Sequence, residues 1–342
     1  MTYKPLLSLL LAWAGFMPAG VWAAPAAPLV LAHRYDLPAS IKGHFDHFGV
    51  DPAGKRLFGT AVDSHLLVVF DFATGRVIKL ISIGIPRGVV YRADLERLFV
   101  SDGTGALRIY DSRTYELLKV LRTEVDADPI AYDPATGRIF VANGGEKAGH
   151  PYSHVTVFDS GTERQIGNVE LAGDDLEDFG IGGQGARLFV NDEALDQIDV
   201  IDTRTLKPKA VWTLTRAREN YGAALDERTH RLFVACREGG LLVLDSDTGK
   251  QIQTLPIGGD TDYIAFDPAS RRVYVSGGGG HGWVAVYQQE DANRYRLLGQ
   301  VTTEPGAATS HLVASLGKYI VMTPSSPDRR AQVWVYDLRS KK

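Results

Sequence analysis

From Leu29 onward, apolar residues come in short runs rich in valine, isoleucine and aromatics, separated by glycine, proline, aspartate and threonine. No window holds the spacing of a sustained amphipathic helix, so the pattern predicts strands joined by turns. The runs repeat. A basic residue followed by an apolar triplet or near-triplet stands at Arg56, Arg97, Arg138, Arg187, Arg231, Arg272 and Lys318, with spacings of 41, 41, 49, 44, 41 and 46. Behind each comes an apolar pair and usually Asp: Val69-Phe70-Asp71, Ile109-Tyr110-Asp111, Val157-Phe158-Asp159, Val200-Ile201-Asp202, Val243-Leu244-Asp245, Val286-Tyr287-Gln288 and Val335-Tyr336-Asp337. Two anchors in one register define a unit of four short strands.

Turn chemistry agrees with that unit. Asp51-Pro52, Asp133-Pro134 and Asp267-Pro268 precede the basic anchor, where Asp can bond the backbone ahead and Pro sets φ, so a hairpin joins the first two strands. After the second anchor, Asp-x-x-Thr recurs from Asp71, Asp111, Asp159, Asp202 and Asp245, marking the turn between strands three and four. Seven such units predict an all-β chain, a seven-bladed β-propeller of four-stranded antiparallel blades. The last repeat runs out after its third strand, near Asp337, while Leu29 to Tyr35 is a strand without a repeat. The N-terminal strand is therefore expected to complete blade seven and close the ring, removing exposed sheet edges.

Charge narrows the range of partners. With 37 basic and 41 acidic residues the net charge is −4 and no basic run stands out, so no nucleic-acid partner is expected. Residues 1–23 read as an export signal, with Lys4 as the positive region, Leu6 to Met17 as the apolar stretch and Val21-Trp22-Ala23 as the cleavage site. A single propeller domain is assigned to residues 24–342, without a membrane span, periplasmic or secreted, and monomeric. The lone Cys236 lies in an apolar strand and reads as a buried small hydrophobe, leaving packing rather than disulfides to hold the fold.

The motifs Arg97-Leu98-Phe99-Val100-Ser101, Arg138-Ile139-Phe140-Val141-Ala142-Asn143, Arg231-Leu232-Phe233-Val234-Ala235 and Arg272-Val273-Tyr274-Val275-Ser276, each followed by a valine-rich strand, resemble the YVTN repeat of YncE-like bacterial propellers. Gln288 in place of the blade-ending Asp and Lys318-Tyr319-Ile320-Val321 in place of Arg-Leu-Phe-Val depart from the pattern without breaking its register. The resemblance implies the propeller fold and an exported protein, and leaves activity open. No Trp-Asp repeat, tryptophan-rich quinoprotein repeat or Cys-x-x-Cys-His occurs, so no haem, quinone or nicotinamide cofactor is expected.

Inner strands of a propeller line its channel, and their starts share a face with the loops between strands two and three. Aligning the repeats brings Asp46 and His47, Arg87, Asp128, Glu177 and Asp178, Asn220 and Tyr221, Asp262, and Thr309, Ser310 and His311 to the channel mouth. Small polar residues at strand starts also serve as turn formers, which suits Asp better than Glu177, Arg87 or His47. Converging carboxylates repel unless a guanidinium, a cation or a hydroxylated ligand satisfies them. Oxygen ligands alone suit Ca²⁺ or Mg²⁺, whereas His47 or His311 among them suits a transition metal.

The insertions fall on the same face: Asn143 to His154 in blade three, Gly277 to Gly282 in blade six and Pro324 to Arg330 in blade seven. His150 and His154 read as soluble loop residues before chelators, and His65 and His230 as turn or strand-start residues. Two function classes fit. One is a binding or protein-interaction module holding a small molecule or protein partner at the loop-rich mouth. The other is a lactonase-like metal hydrolase or lyase, with Asp46, Glu177, Asn220 and Asp262 as ligands of a divalent cation and His47 or His311 as base.

Overall fold

The computed structural model of the chain describes residues 27–182 and 186–339, so the leader expected over residues 1–23 lies outside the described residues. Among the described residues, 28 strands form seven four-stranded antiparallel sheets, joined by turns and three single-turn helices. Blade one comprises Gly49–Asp51, Arg56–Ala61, Leu66–Asp71 and Arg76–Ser82. The inner strands of blades two to seven are Pro86–Arg92, Ile130–Asp133, Leu176–Ile181, Asn220–Asp226, Thr261–Asp267 and Ser310–Val313. Blade seven takes its outer strand from the N-terminus: Leu29–Asp36 pairs antiparallel with Gln332–Leu338, Leu29 opposite Leu338 and Asp36 opposite Gln332. The ring closes as the strand count requires.

Both sequence anchors have a physical role. The basic residue lies directly across from the second anchor's last residue in every blade, from Arg56 opposite Asp71 to Lys318 opposite Asp337, with Arg272 facing Gln288. The Asp then folds the turn, as where Asp71 Oδ1 accepts the Ala73 and Thr74 amides at 2.8 and 3.0 Å. Six of the basic residues also cross to the next blade. Arg56 Nη1 donates to Ser112 O at 2.6 Å, Arg138 Nη1 to Arg204 O at 2.8 Å, Arg231 Nε to Ala292 O at 3.1 Å and Arg272 Nη1 to Arg339 O at 2.6 Å. Arg97 Nε reaches Glu163 Oε1 at 3.1 Å and Arg187 Nη2 reaches Asp247 Oδ1 at 2.9 Å. Among the described residues the Lys318 side chain bonds within its own blade, to Asp337.

Apolar faces of neighbouring sheets pack against each other, so the core is a set of wedges between blades. Blades one and seven interleave Leu57, Val68 and Phe70 with Ile320, Met322, Val333 and Val335. Leu37, Ile41, Phe45 and Phe48, from the segment linking the closing strand to blade one, fill the rest of that wedge. Gly59 stands where the other blades carry a larger residue, because a Cβ there would overlap the Met322 sulfur.

Candidate functional site at the channel mouth

The inner strands do not enter the channel as plain ladders. In blades two, four, five and six the pairing of strands one and two slips between Pro86 and Val89, Glu177 and Phe179, Asn220 and Gly222, and Thr261 and Tyr263. The residues left out of the ladder are Arg87 and Gly88, Asp178, Tyr221 and Asp262. A bulge leaves a residue unpaired and re-aims its side chain, so four blades place mouth residues by one device. In blades one and three the strands begin only at Gly49 and Ile130, after Asp46, His47 and Asp128.

Arg87 organises one side of the mouth. Its Nη1 donates to Asp46 Oδ2 at 3.0 Å and lies 3.2 Å from Asp128 Oδ2, while Nη2 is 3.7 Å from Asp126 Oδ1. Asp46 Oδ1 accepts the His47 amide at 2.8 Å and lies 3.6 Å from His47 Nε2. Thr60 Oγ1 donates to His47 O at 3.1 Å, fixing this stretch on blade one. Asp46, His47 and Asp128 thus bring one ligand atom each to within 4.8 Å of one another.

Arg237 organises the other side. It stacks 3.6 Å from the centre of the Tyr221 ring and lies 3.9 Å from Asp262 Oδ1, whose Oδ2 accepts a hydrogen bond from Thr309 Oγ1. Beside it Asp175, Glu177 and Glu193 form a second group of three carboxylates, one oxygen of each lying within 4.8 Å of the others. Arg237, Glu193 and Asp126 are not inner-strand starts and escape the repeat alignment. Arg237 and Glu193 follow second strands, Arg231–Cys236 and Arg187–Asp192, and so belong to loops already assigned to this face.

Other expected residues build the floor rather than the mouth. Asn220 Nδ2 donates to Asn191 Oδ1 and to Gln197 O, both at 3.0 Å, while Asn191 Nδ2 donates to Asp178 O at 2.6 Å and Tyr221 O at 2.8 Å. The two amides lace blades four and five. Ser310 is buried in a hydroxyl chain with Ser276 and Tyr319. Of the lactonase-like donor set, Asp46, Glu177 and Asp262 do not bring one ligand atom each to within 4.8 Å of one another, and Asn220 commits its Nδ2 while its Oδ1 is buried without a partner. In the blade-three insertion, His154 Nδ1 lies 3.3 Å and His150 Nε2 3.9 Å from Glu124, with Tyr152 stacked on His150. Among the described residues His150, His154 and Glu124 do not bring one ligand atom each to within 4.8 Å of one another.

The two mouth histidines are driven apart. Burial alone would lower His47, but the carboxylates of Asp46, Asp178, Asp262 and Asp128 outweigh it and bring it to about 9. His311 is lowered to about 4 by burial, then by the neighbouring His47 cation. Burial, assisted by Asp46 and opposed by Arg87, raises Asp128 to about 7. Burial also raises Glu177 well above its ordinary value and raises Asp178 and Asp262, the latter two opposed by His47. His47 is therefore a cation at neutral pH and His311 is neutral.

No family model matches the chain, and no curated protein matches it. Solved structures do. The chain is similar to a chain of "Crystal Structure of Mitotic Checkpoint Complex" with a TM-score of 0.73 and 14% identity, covering 98% of this chain and 99% of that one. "Kuenenia stuttgartiensis Hydrazine Synthase" matches with a TM-score of 0.71 and 15% identity over 85% and 95%. "Structure of U3-55K" matches with a TM-score of 0.71 and 12% identity over 87% and 97%. At such identities the likeness is one of fold, and with the seven closed blades it makes the chain a seven-bladed β-propeller.

Proposed function

We propose that the protein is an exported propeller of the YncE-like, YVTN-repeat kind, periplasmic or secreted, which binds a small polar molecule or a polar segment of a protein partner at its channel mouth. The export signal and the repeat motifs support the family and the compartment. The observation that carries the binding reading is that, of eleven buried polar side-chain atoms without partners among the described residues, four belong to residues of the mouth: Arg87 Nε, Asp128 Oδ1, Asn220 Oδ1 and Arg237 Nε. Buried polar atoms are bonded in the great majority of cases, so unpartnered ones facing a mouth rimmed by long loops support a ligand that supplies the missing bonds.

The test is the melting of chelator-treated protein against polyamines, sugars, polyols and short basic peptides. A ligand at a hundred times its dissociation constant adds about 2.7 kcal/mol, a clear rise in Tm. Replacing Asp46 and Asp262 together by Asn should remove that rise while the fold persists. A panel in which nothing shifts the melting sinks the reading. The metal-dependent hydrolase or lyase is the second reading, favoured by the grouping of Asp46, His47 and Asp128. Hydrolysis of a lactone panel with and without added divalent metal distinguishes it.

A further inference from the structure

We propose that Asp46, His47 and Asp128 form a site for one divalent first-row transition-metal ion, with Arg87 as the residue that positions the two carboxylates. The inference rests on the reading of the mouth as a binding site and names one occupant of it. Three observations lead there. First, the donor atoms already lie within 4.8 Å of one another. Ligands of one ion at bond lengths of about 2.0–2.2 Å sit at most ~4.4 Å apart, so small side-chain rotations complete the set.

Second, Arg87 engages Oδ2 of both aspartates, at 3.0 and 3.2 Å, and leaves Asp128 Oδ1 buried without a partner. A cation-binding carboxylate is commonly held by a hydrogen bond to its other oxygen, and Arg87 supplies that hold. The carboxylates of Asp175, Glu177 and Glu193 make an internal contrast: none of them leaves a buried oxygen unpartnered. Third, the donors are two oxygens and an imidazole nitrogen. That mixture favours zinc, manganese or a neighbouring metal over Ca²⁺ and Mg²⁺, which take oxygen.

Charge is consistent with this choice. Asp46, Asp126 and Asp128 face Arg87, with Asp178 and Asp262 near His47, so an added dication meets an excess of carboxylate. Metal and proton compete for the His47 ring. Three protein ligands leave positions open toward the channel, where a bound molecule can complete the coordination.

The experiment titrates chelator-stripped whole protein with Zn²⁺, Mn²⁺ and Ca²⁺ by calorimetry, with metal content measured after desalting. One equivalent of Zn²⁺ or Mn²⁺ should bind, and Ca²⁺ far more weakly. Asp128→Asn and His47→Gln should each lose about 10–100-fold or more in affinity, and Glu290→Gln, at the exposed end of Trp283–Asp291 away from the mouth, should retain wild-type binding. Circular dichroism checks each variant, and either mouth variant that folds decides the matter. The proposal is overturned if the wild type takes up neither Zn²⁺ nor Mn²⁺, or if a folded Asp128→Asn or His47→Gln binds as the wild type does. Metal failure with a persisting response to the organic panel removes this inference alone, whereas silence in both experiments removes the binding reading too.

Discussion

Asp199 in blade four occupies the position that Arg108 holds in blade two: each stands three residues before the strand-ending aspartate and pairs with the second-strand valine, Val190 or Val100. In blade two Arg108 Nε donates to Asp102 Oδ2 at 2.6 Å. In blade four the matching partner is Asp192, so an ion pair on a buried aspartate is replaced by a buried pair of carboxyl groups sharing the Gln197 amide at 3.0 and 3.3 Å.

That exchange has a pH signature. Burial, then Asp199, raises Asp192 to about 7, and burial raises Asp199 as well. The folded state keeps a proton that the unfolded chain releases near pH 4, so the contribution is fully present below pH 4 and is lost as pH rises to about 7. Asp199→Asn should therefore gain stability over the wild type at pH 8, on the order of 1–3 kcal/mol, and much less at pH 4. A difference in melting temperature that stays constant between these pH values contradicts the shared proton.

Ring closure can be tested by starting the chain at Leu37, which removes Leu29–Asp36 and leaves Gln332–Leu338 as an open edge. Loss of a whole ladder and of buried Leu29 should cost several kcal/mol and promote self-association. Unchanged melting together with a monomeric elution profile goes against closure.

Gly59→Ala should destabilise the wedge between blades one and seven by about 1–3 kcal/mol, because the added methyl meets Met322. Met322→Ala alone should cost about 2–5 kcal/mol through the cavity it leaves. The double variant should lose less than the two single losses together, since each change relieves the other. Strict additivity in denaturant titrations rules out this contact as the reason for the glycine.

Cys236 is fully buried and its thiol is pushed up to about 12, chiefly by burial. It should resist alkylation in the native protein and react at once in denaturant. Rapid native labelling would show that the strand Arg231–Cys236 opens.

The fold was legible because its signals are local and repeated: Arg97 and Asp111 stand at fixed offsets in sequence and opposite each other in space. The mouth was legible in its list of inner-strand residues and not in its geometry. Whether Asp178 or Tyr221 leaves the ladder depends on a slip against the partner strand, which no residue of the inner strand signals by itself. Arg237 was missed because it follows a second strand, and its meeting with Tyr221 and Asp262 follows from how the blades abut. Asn220 looked like a ligand by type; its Nδ2 is spent on joining two blades, whereas its Oδ1 is buried without a partner.

The segment from Leu37 to Phe48 joins two events that are separate in most rings. Its apolar residues plug the one seam that no guanidinium crosses among the described residues, where Lys318 stays in its own blade. Its polar residues, Asp46 and His47, reach into the mouth. A molecule that ties Asp46 or His47 to Asp128 or Arg87 therefore acts as a clasp on blades one to three and anchors the plug. Occupancy of the mouth should lengthen the lifetime of the closed ring, read as slower proteolysis at this seam, so the protein would carry a record of its cargo in how long it survives.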